Sequence, residues 1–188
     1  MPVVATMDTP DLLVPPQAGD HSLGHPHAAV VLVEYGDFEC PSCTQAAPML
    51  KLLLARFPLH LRLVYRHFPL EEVHPHALGA ALAAEAAGAQ GRFWPMHDLL
   101  FGHRQHLGPT HLRQYGEGLE LDMRRFDFEM ADTVHLQRVR EHIAGGRRCG
   151  VRATPGFFLN GRRIDASYGL DEIERRVTAE ALSCNTMV

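Results

Sequence analysis

The chain has 188 residues, of which 46% are hydrophobic and 21% are charged, and its formal net charge is −4 at pH 7. This length fits one domain, or one domain with an insertion, and the hydrophobic content suffices for a sizeable core. Nothing in the charge favours nucleic acid or an anionic membrane surface, and no apolar run reaches the roughly 18 residues that span a bilayer. We therefore expect neither a nucleic-acid nor a membrane partner.

Residues 1–24 are expected to form an N-terminal arm. They contain four prolines and three aspartates, and they lack a basic stretch followed by a continuous apolar one. This pattern does not match a signal peptide, so we expect a cytoplasmic location. Within the arm, Leu12-Leu13-Val14 is a candidate for a short edge strand.

The next stretch predicts a strand, a pair of cysteines and a helix. Val30–Tyr35 is largely apolar and β-branched, which is typical of a strand buried on both faces. An apolar run of helical length predicts a helix over 42–57, with Cys40-Pro41-Ser42-Cys43 at the junction. A thiol in the first helical turn lies near unpaired N–H groups and the positive end of the helix dipole, which lower its pKa from about 8.5. We expect Cys40 to be the attacking, more exposed thiol and Cys43 the shielded, resolving thiol.

The middle of the chain predicts a second strand and then only helices. Leu61–Arg66 would pair with the first strand, and the two strands with their helix would form a right-handed parallel βαβ unit. Helical patterns follow at Pro75–Ala87, Arg92–Arg104, Thr110–Glu117, Asp122–Met130 and Thr133–Ile143. We expect the last of these helices to stop at Gly145-Gly146.

The end of the chain predicts a return to sheet. Phe157–Leu159 and Arg162–Ile164 flank Asn160-Gly161, a pattern typical of a hairpin with a two-residue turn. A final helix is expected over Leu170–Ala181, with acidic residues in its first turn.

Several of these motifs together resemble a known family. Cys40-Pro41-Ser42-Cys43 resembles the active site of thioredoxin-fold oxidoreductases, and Pro48 falls where thioredoxins carry the proline that kinks the active-site helix. Asp37–Pro41 and Gly150–Gly161 resemble the DsbA-like branch, although its members often carry a second threonine where this chain has Gly156. The resemblance covers roughly residues 26–177.

The resemblance implies an α/β protein with a thioredoxin fold. Its mixed sheet would combine a βαβ unit with a C-terminal hairpin and helix, and an all-helical insertion would interrupt it. The expected boundaries are 1–24 for the arm, 25–66 and 149–182 for the thioredoxin-like domain, 67–148 for the insertion and 183–188 for a C-terminal tail.

The resemblance also implies roles for residues outside the cysteine motif. The Thr154–Pro155 bond would be cis and would lie against the cysteine pair, where Pro155 and the residue before it bind an extended substrate. The Thr154 hydroxyl would tune the thiolate. An X–Pro bond is otherwise cis in only about 5–6% of cases in folded proteins, so an ordinary turn is the alternative.

Three acidic residues precede Cys40. Glu34 is either a strand-end carboxylate in water or, as the DsbA-like resemblance implies, a buried group with a raised pKa that accepts the proton of Cys43. Asp37 and Glu39 are expected to be exposed, and their charges would oppose thiolate formation at Cys40.

The cysteines and histidines also allow a metal interpretation. A closed zinc site normally needs four ligands, and Cys149 and Cys184 are isolated in the sequence. Proline separates the histidines of both His25-Pro26-His27 and His74-Pro75-His76, and no further ligand follows at a fixed spacing. We therefore favour redox chemistry with no metal and no cofactor, histidines in surface loops and an inert, buried Cys149.

Together these features favour a thiol–disulfide oxidoreductase whose partners are protein or small-thiol disulfides. Two other functions stay open: a glutathione-dependent transferase or isomerase on the same fold, and a non-catalytic binding module in which the disulfide is a local staple. The sequence leaves open the redox potential, the direction of electron flow and the oligomeric state.

Overall fold

Five strands form one mixed sheet in the computed structural model, which describes residues 11–165 and 169–184. The strands are His21–Gly24 (β1), Val30–Gly36 (β2), Leu61–His67 (β3), Gly156–Leu159 (β4) and Arg162–Ile164 (β5), in the spatial order β1-β3-β2-β4-β5. β2 and β3 are parallel, and the three other pairs of neighbours are antiparallel. The predicted thioredoxin fold, with its βαβ unit and C-terminal hairpin, is confirmed.

The helices lie where the sequence predicts them, with small shifts at their ends. They span Pro41–Arg56 (α1), Ala77–Gly88 (α2), Phe93–Gly102 (α3), Pro109–Gly118 (α4), Met123–Ala131 (α5), Leu136–Arg148 (α6) and Leu170–Cys184 (α7). Helices α2 to α6 all lie between β3 and β4 in the chain, which is the position of the expected helical insertion. No helix within the two described ranges has the length and apolar character needed to cross a membrane.

Alternate residues of β2 point to opposite faces of the sheet, and both faces are covered. Leu32 belongs to a buried cluster that α1 and α7 complete, which includes Leu53, Phe157 and Ile173. Val33 belongs to a cluster on the other face, which includes Val64, Phe158 and Leu12 of the N-terminal segment. A strand with two buried faces has an almost continuous apolar sequence, which explains the composition of β2.

Helix α6 does not stop at Gly145-Gly146, which corrects the predicted end. Both glycines are buried, and the helix continues to Arg148. A Cβ atom on Gly146 would lie 2.8 Å from the Phe68 ring and 3.0 Å from the Tyr35 ring. The glycines therefore let the helix backbone approach the sheet closely, and close packing outweighs their low helix propensity.

Replacing Gly146 with alanine should destabilise the protein. Because the added methyl group meets two buried rings, we expect a loss of about 1–3 kcal/mol in the free energy of unfolding. Gly145→Ala is the matched control, since its Cβ would meet only the Tyr35 hydroxyl at 3.5 Å. Urea denaturation of both variants checks this, and equal midpoints would contradict the packing explanation.

The strand in the N-terminal segment is His21–Gly24 and not Leu12-Leu13-Val14. β1 adds to the edge of the sheet by pairing with β3, so part of the expected arm belongs to the sheet. The Arg66 guanidinium donates to the carbonyl oxygens of Val14 and Pro15 at 2.8 Å and 3.0 Å, and to the Asp20 carboxylate. The buried Arg66 guanidinium thus fixes the position of residues 14–20. Two prolines in this segment have no N–H group to donate to a β-sheet.

Candidate functional site

Cys40 and Cys43 lie where the first strand of the βαβ unit passes into α1. Cys40 is the N-cap residue of the helix, and Pro41 occupies a first-turn position, where the missing N–H breaks no helical bond. Cys43 follows within the first turn. Cys40 is 6% exposed and Cys43 is fully buried, so Cys40 is the thiol nearer to solvent.

The loop before β4 packs directly against Cys40. The Thr154–Pro155 peptide bond is cis, and the Cys40 Sγ atom lies 3.3 Å from the Thr154 carbonyl oxygen. The Thr154 hydroxyl is buried and has no hydrogen-bond partner among the described residues. The fold therefore brings together residues that are 114 positions apart in the chain, and a thiolate at Cys40 would provide the acceptor that this hydroxyl lacks.

The pKa values of the two thiols are shifted in opposite directions. A hydrogen bond from the Cys43 thiol, with smaller contributions from the Thr154 side chain and the N–H groups of Ser42 and Cys43, outweighs burial and lowers the pKa of Cys40 to about 5. Burial, the hydrogen bond to Cys40 and the charge of Glu34 raise the pKa of Cys43 well above its ordinary value. Near neutral pH the pair therefore holds one thiolate, on Cys40, and one thiol, on Cys43.

Glu34 is buried beneath this pair and does not reach water. It is 1% exposed, and its Oε1 atom has no hydrogen-bond partner among the described residues. Burial first, and then the charge of Cys40, raise the pKa of Glu34 to about 8. A carboxyl group that titrates near neutral pH can take up or release a proton under ordinary conditions.

Asp37 is buried, which corrects the expectation that it is exposed. Its carboxylate accepts hydrogen bonds from the N–H groups of Glu39 and Leu70 at 2.8 Å and 2.9 Å, and it lies 2.7 Å from His74 Nδ1. Glu39 is only partly exposed and binds the His76 N–H at 2.7 Å. These contacts attach the loop before Cys40 to the segment that leads into the helical insertion, so both acids have structural partners.

Cys149 lies apart from the redox pair. It is buried in the cluster on the sheet face opposite α1, and its sulfur accepts a hydrogen bond from the Leu13 N–H at 3.3 Å. This location agrees with the expected inert thiol. We expect the side chain of Cys184 to be exposed and to have no role, and this side chain falls outside the described residues.

One set of described residues has the composition of a metal site, and it does not involve the histidine pairs of the sequence analysis. His67, Glu85 and His142 bring their ligand atoms within 4.8 Å of one another. The Glu85 Oε1 atom already lies 2.9 Å from His67 Nε2, 3.0 Å from His21 Nε2 and 2.9 Å from Arg138 Nε. The guanidinium supplies the positive charge there, and the carboxylate joins α2 to β1, β3 and α6.

Tyr65 is a buried polar residue near the site that the sequence analysis missed. It lies beside Glu34 in the register of β2 and β3, and it is fully buried in the cluster that contains both cysteines. Alignment of the predicted strands Val30–Tyr35 and Leu61–Arg66 at their first residues places Tyr65 opposite Glu34, as the structure does. A tyrosine opposite the only charged residue of a buried strand was the available signal.

Comparison with known proteins identifies the family. A family model described as Thioredoxin matches residues 17–179. The Na⁺/H⁺ antiporter NhaA 1 of Salinispora arenicola is 48% identical over 170 residues, which make up 90% of this chain. The chain spans only 26% of the length of that relative and of the other curated relatives named as NhaA antiporters.

Solved structures give the same fold. BdbD from Bacillus subtilis has a TM-score of 0.77 at 21% identity, covering 87% of this chain and 93% of that one. A thioredoxin-like oxidoreductase from Silicibacter pomeroyi has a TM-score of 0.70 at 27% identity, and the match covers 85% of this chain and 93% of that one. Wolbachia pipientis α-DsbA1 has a TM-score of 0.73 at 18% identity, and the match covers 94% of this chain and 100% of that one. The chain therefore belongs to the thioredoxin family and has the fold of its DsbA-like members.

Proposed function

We propose that this protein is a thiol–disulfide oxidoreductase that exchanges a Cys40–Cys43 disulfide with protein or small-thiol substrates. The observation that carries the proposal is the opposite tuning of two thiols in one helical turn. The pKa of Cys40 is lowered to about 5, and that of Cys43 is raised. A thiolate is the attacking species in disulfide exchange. Cys40 is therefore in its reactive thiolate form, whereas Cys43 stays protonated.

Exchange proceeds through a mixed disulfide. The Cys40 thiolate attacks one sulfur of a substrate disulfide, forms a new S–S bond and releases the other substrate sulfur as a thiolate. Cys43 then loses its proton and attacks Cys40 Sγ, which forms the Cys40–Cys43 disulfide and releases the second substrate thiolate. The substrate is reduced by two electrons and the protein is oxidised by two, and the reverse sequence oxidises a dithiol substrate.

Glu34, Thr154 and Pro155 would assist these steps. The Glu34 carboxylate is the proposed acceptor of the Cys43 proton, since it is the buried carboxyl group that titrates near neutral pH beneath the pair. The Thr154–Pro155 loop is the proposed binding site for the substrate backbone. A sulfur bonded to Cys40 must lie beside this loop, because Thr154 already contacts Cys40 Sγ.

The lowered pKa of Cys40 favours donation of the disulfide to substrates. Because a low pKa stabilises the thiolate, it stabilises the reduced protein relative to the disulfide and raises the reduction potential. Equilibration with glutathione buffers tests this direction, since about 30 mV corresponds to a tenfold change in the equilibrium constant. A potential below that of thioredoxin, about −270 mV, would support a reductase instead.

Alkylation of the reduced protein should show Cys40 as the reactive thiol. The rate of Cys40 modification should rise with a midpoint near pH 5 and stay flat from pH 7 to 9, because the thiolate is then fully formed. Peptide mapping after a short exposure to iodoacetamide measures this, with Cys40→Ser as the control for labelling at Cys43 and Cys149. Earlier labelling of either control site would contradict the assigned roles.

Two other functions predict different results in one assay. A glutathione-dependent transferase or isomerase needs at most one of the two cysteines, so it would retain activity after loss of Cys43. A binding module would show no turnover at all. Reduction of insulin disulfides in the presence of dithiothreitol, compared with an equal amount of the Cys40→Ser variant, separates these functions from an oxidoreductase.

The names of the curated relatives support a second proposal, which concerns the partner. A segment 48% identical to this chain forms 26% of a protein named as a Na⁺/H⁺ antiporter. We propose that an antiporter of this kind is a redox partner of the chain. A variant that accumulates mixed disulfides, recovered from cells and analysed by mass spectrometry, would carry antiporter peptides if the proposal is correct.

A further inference from the structure

Buried polar side chains join the N-terminal segment to the sheet and to the helical insertion. We call residues 14–24, which include β1, the N-terminal strap. The Glu85 Oε1 atom on α2 lies 3.0 Å from His21 Nε2 in the strap, 2.9 Å from His67 Nε2 on β3 and 2.9 Å from Arg138 Nε on α6. One carboxylate therefore connects the strap to three other elements of the fold.

A second carboxylate, Asp20, lies within the strap itself. It accepts hydrogen bonds from Arg66 Nη2 at 2.8 Å and from Arg66 Nε at 3.2 Å, and its Oδ1 atom lies 3.8 Å from His142 Nε2 on α6. The Arg138 guanidinium also donates to the carbonyl oxygen of Gly19. We call the side chains of these two groups the Glu85 network, which consists of Asp20, His21, Arg66, His67, Glu85, Arg138 and His142.

The formal charges of the Glu85 network balance without a charged histidine. Within the described part of the chain it contains two carboxylates, on Asp20 and Glu85, and two guanidiniums, on Arg66 and Arg138. Burial would raise the pKa of both carboxyl groups, but their hydrogen bonds outweigh this effect and lower both pKa values. A proton added to a histidine here would therefore leave an uncompensated positive charge in a buried place, which is costly.

His67 has no acceptor for a second proton. The residue is 1% exposed, and its Nε2 atom is placed to donate to Glu85. Its Nδ1 atom is buried and has no hydrogen-bond partner among the described residues. A proton on Nδ1 would thus be a buried donor without an acceptor. Burial accordingly lowers the pKa of His67, and the ring is neutral at pH 7.

His142 already uses its Nδ1 atom as an acceptor. The His67 N–H group donates to it at 3.2 Å, and the two imidazole rings stack at a centroid distance of 5.7 Å. Burial first, and then the charges of His67 and Arg138, lower the pKa of His142 to about 3. A pocket of about 270 Å³, lined in part by His142 and Asp20, connects this side of the network to solvent and gives protons access to it.

The other titratable groups around the network do not change its charge balance. Burial raises the pKa of Tyr35 on β2 and of Tyr65 on β3, so both phenols are neutral, and burial lowers the pKa of His97 on α3. Glu141 and Arg148 on α6 are exposed at the pocket and carry opposite charges.

We propose that the Glu85 network is an acid-sensitive latch, in which protonation of His67 and His142 in mild acid releases the N-terminal strap and uncovers the edge of β3. Both histidines bind fewer protons in the closed state than in water, so the closed state loses stability as the pH falls below their ordinary pKa of about 6.5. Above about pH 5 both carboxyl groups stay charged in the open state as well, so the histidines act alone. Release of the strap leaves the backbone groups of β3 that pair with β1 free to bind another strand.

Amide hydrogen exchange of the oxidised protein at pH 7 and pH 5 tests the latch. Observed rates are divided by the intrinsic exchange rates at each pH, so that they report the opening of each segment. Opening of peptides from the strap should increase at least about tenfold at pH 5, since each histidine contributes up to tenfold per pH unit below its ordinary pKa. Peptides from β4 report global unfolding and should not show this increase.

Two substitutions remove the titrating groups and keep their hydrogen bonds. His142→Asn retains an acceptor near the position of Nδ1, and His67→Gln retains a donor near the position of Nε2. The double variant should lose most of the pH dependence of strap opening, and His142→Asn alone should lose part of it. His103→Asn is the matched control, because His103 is exposed at the end of α3, and it should behave like the wild type.

Four results would overturn the latch. Strap opening in the wild type could be the same at both pH values, or β4 could open to the same extent as the strap. The pH dependence could persist unchanged in His142→Asn and in the double variant. Finally, EDTA could accelerate strap exchange at pH 7, which would show that a metal ion, and not the Arg138 guanidinium, holds Glu85. None of these results bears on the proposed oxidoreductase activity, because the latch does not depend on it.

Discussion

Cys40→Ser should abolish thiol–disulfide exchange, whereas Cys43→Ser should stop the reaction at its first intermediate. A serine at position 40 provides no thiolate, and Cys43 cannot substitute because its pKa is raised and it is fully buried. In Cys43→Ser the Cys40 thiolate still attacks, but no thiol remains to resolve the mixed disulfide. Turnover should therefore be lost in both variants, with a stable adduct in only one.

Mass spectrometry of each variant after reaction with glutathione disulfide provides the measurement. Cys43→Ser should gain the mass of one glutathione on Cys40, and Cys40→Ser should gain none. Cys149→Ser is the matched control, because its thiol lies on the opposite sheet face, and it should turn over like the wild type. An adduct on Cys43 or Cys149 in Cys40→Ser would contradict the assignment of the nucleophile.

Glu34→Gln should remove a large pH dependence from the stability of the oxidised protein. In the reduced protein, burial first and then the charge of Cys40 raise the pKa of Glu34 from 4.5 to about 8, and burial, the larger cause, acts in the oxidised protein as well. Above pH 4.5 the folded oxidised protein therefore binds more protons at Glu34 than the unfolded chain does, and its stability must fall as the pH rises, by at most about 5 kcal/mol in total. Glutamine has no proton to lose, so the variant should be the more stable protein at pH 8 and should lose most of this slope.

The redox state matters to this measurement. In the reduced protein Cys40 has a pKa lowered from 9.0 to about 5, so its thiolate adds stability as the pH rises through that range and opposes the effect of Glu34. The oxidised protein lacks this thiol, which isolates the carboxyl group. Denaturant unfolding at several pH values between 4 and 9 measures the slope, and parallel curves for the wild type and Glu34→Gln would show that Glu34 titrates normally.

Local pattern sufficed to predict the framework and the cysteine pair. Hydrophobic periodicity, turn residues and the strand-to-helix junction depend only on residues that are close in the sequence. Short windows of sequence therefore predict the βαβ unit, the hairpin at Asn160-Gly161 and the helical insertion. The relation of Thr154-Pro155 to the cysteines came from family resemblance, because nothing local to that loop indicates what it contacts.

The features that escaped prediction depend on distant partners. Asp37 is buried because Leu70 and His74 provide donors, and both are more than 30 positions away. Helix α6 passes through Gly145-Gly146 because Phe68 and Tyr35 occupy the space that side chains would fill. A glycine pair usually ends a helix, and only the packed sheet reveals the competing reason for its presence here.

The sheet order has a consequence for how the reactive thiol comes into existence. β4 is placed between β2 and β5, although the whole helical insertion separates it from β2 in the chain. Contacts between such remote segments form late, because a long loop must close before they contribute. During synthesis Cys40 leaves the ribosome well before Thr154, so on an unfinished chain its thiol lacks the contribution of the Thr154 side chain, and in a fully unfolded chain its pKa is the ordinary value of about 8.5. The last part of the lowering of the Cys40 pKa is therefore a product of completed folding.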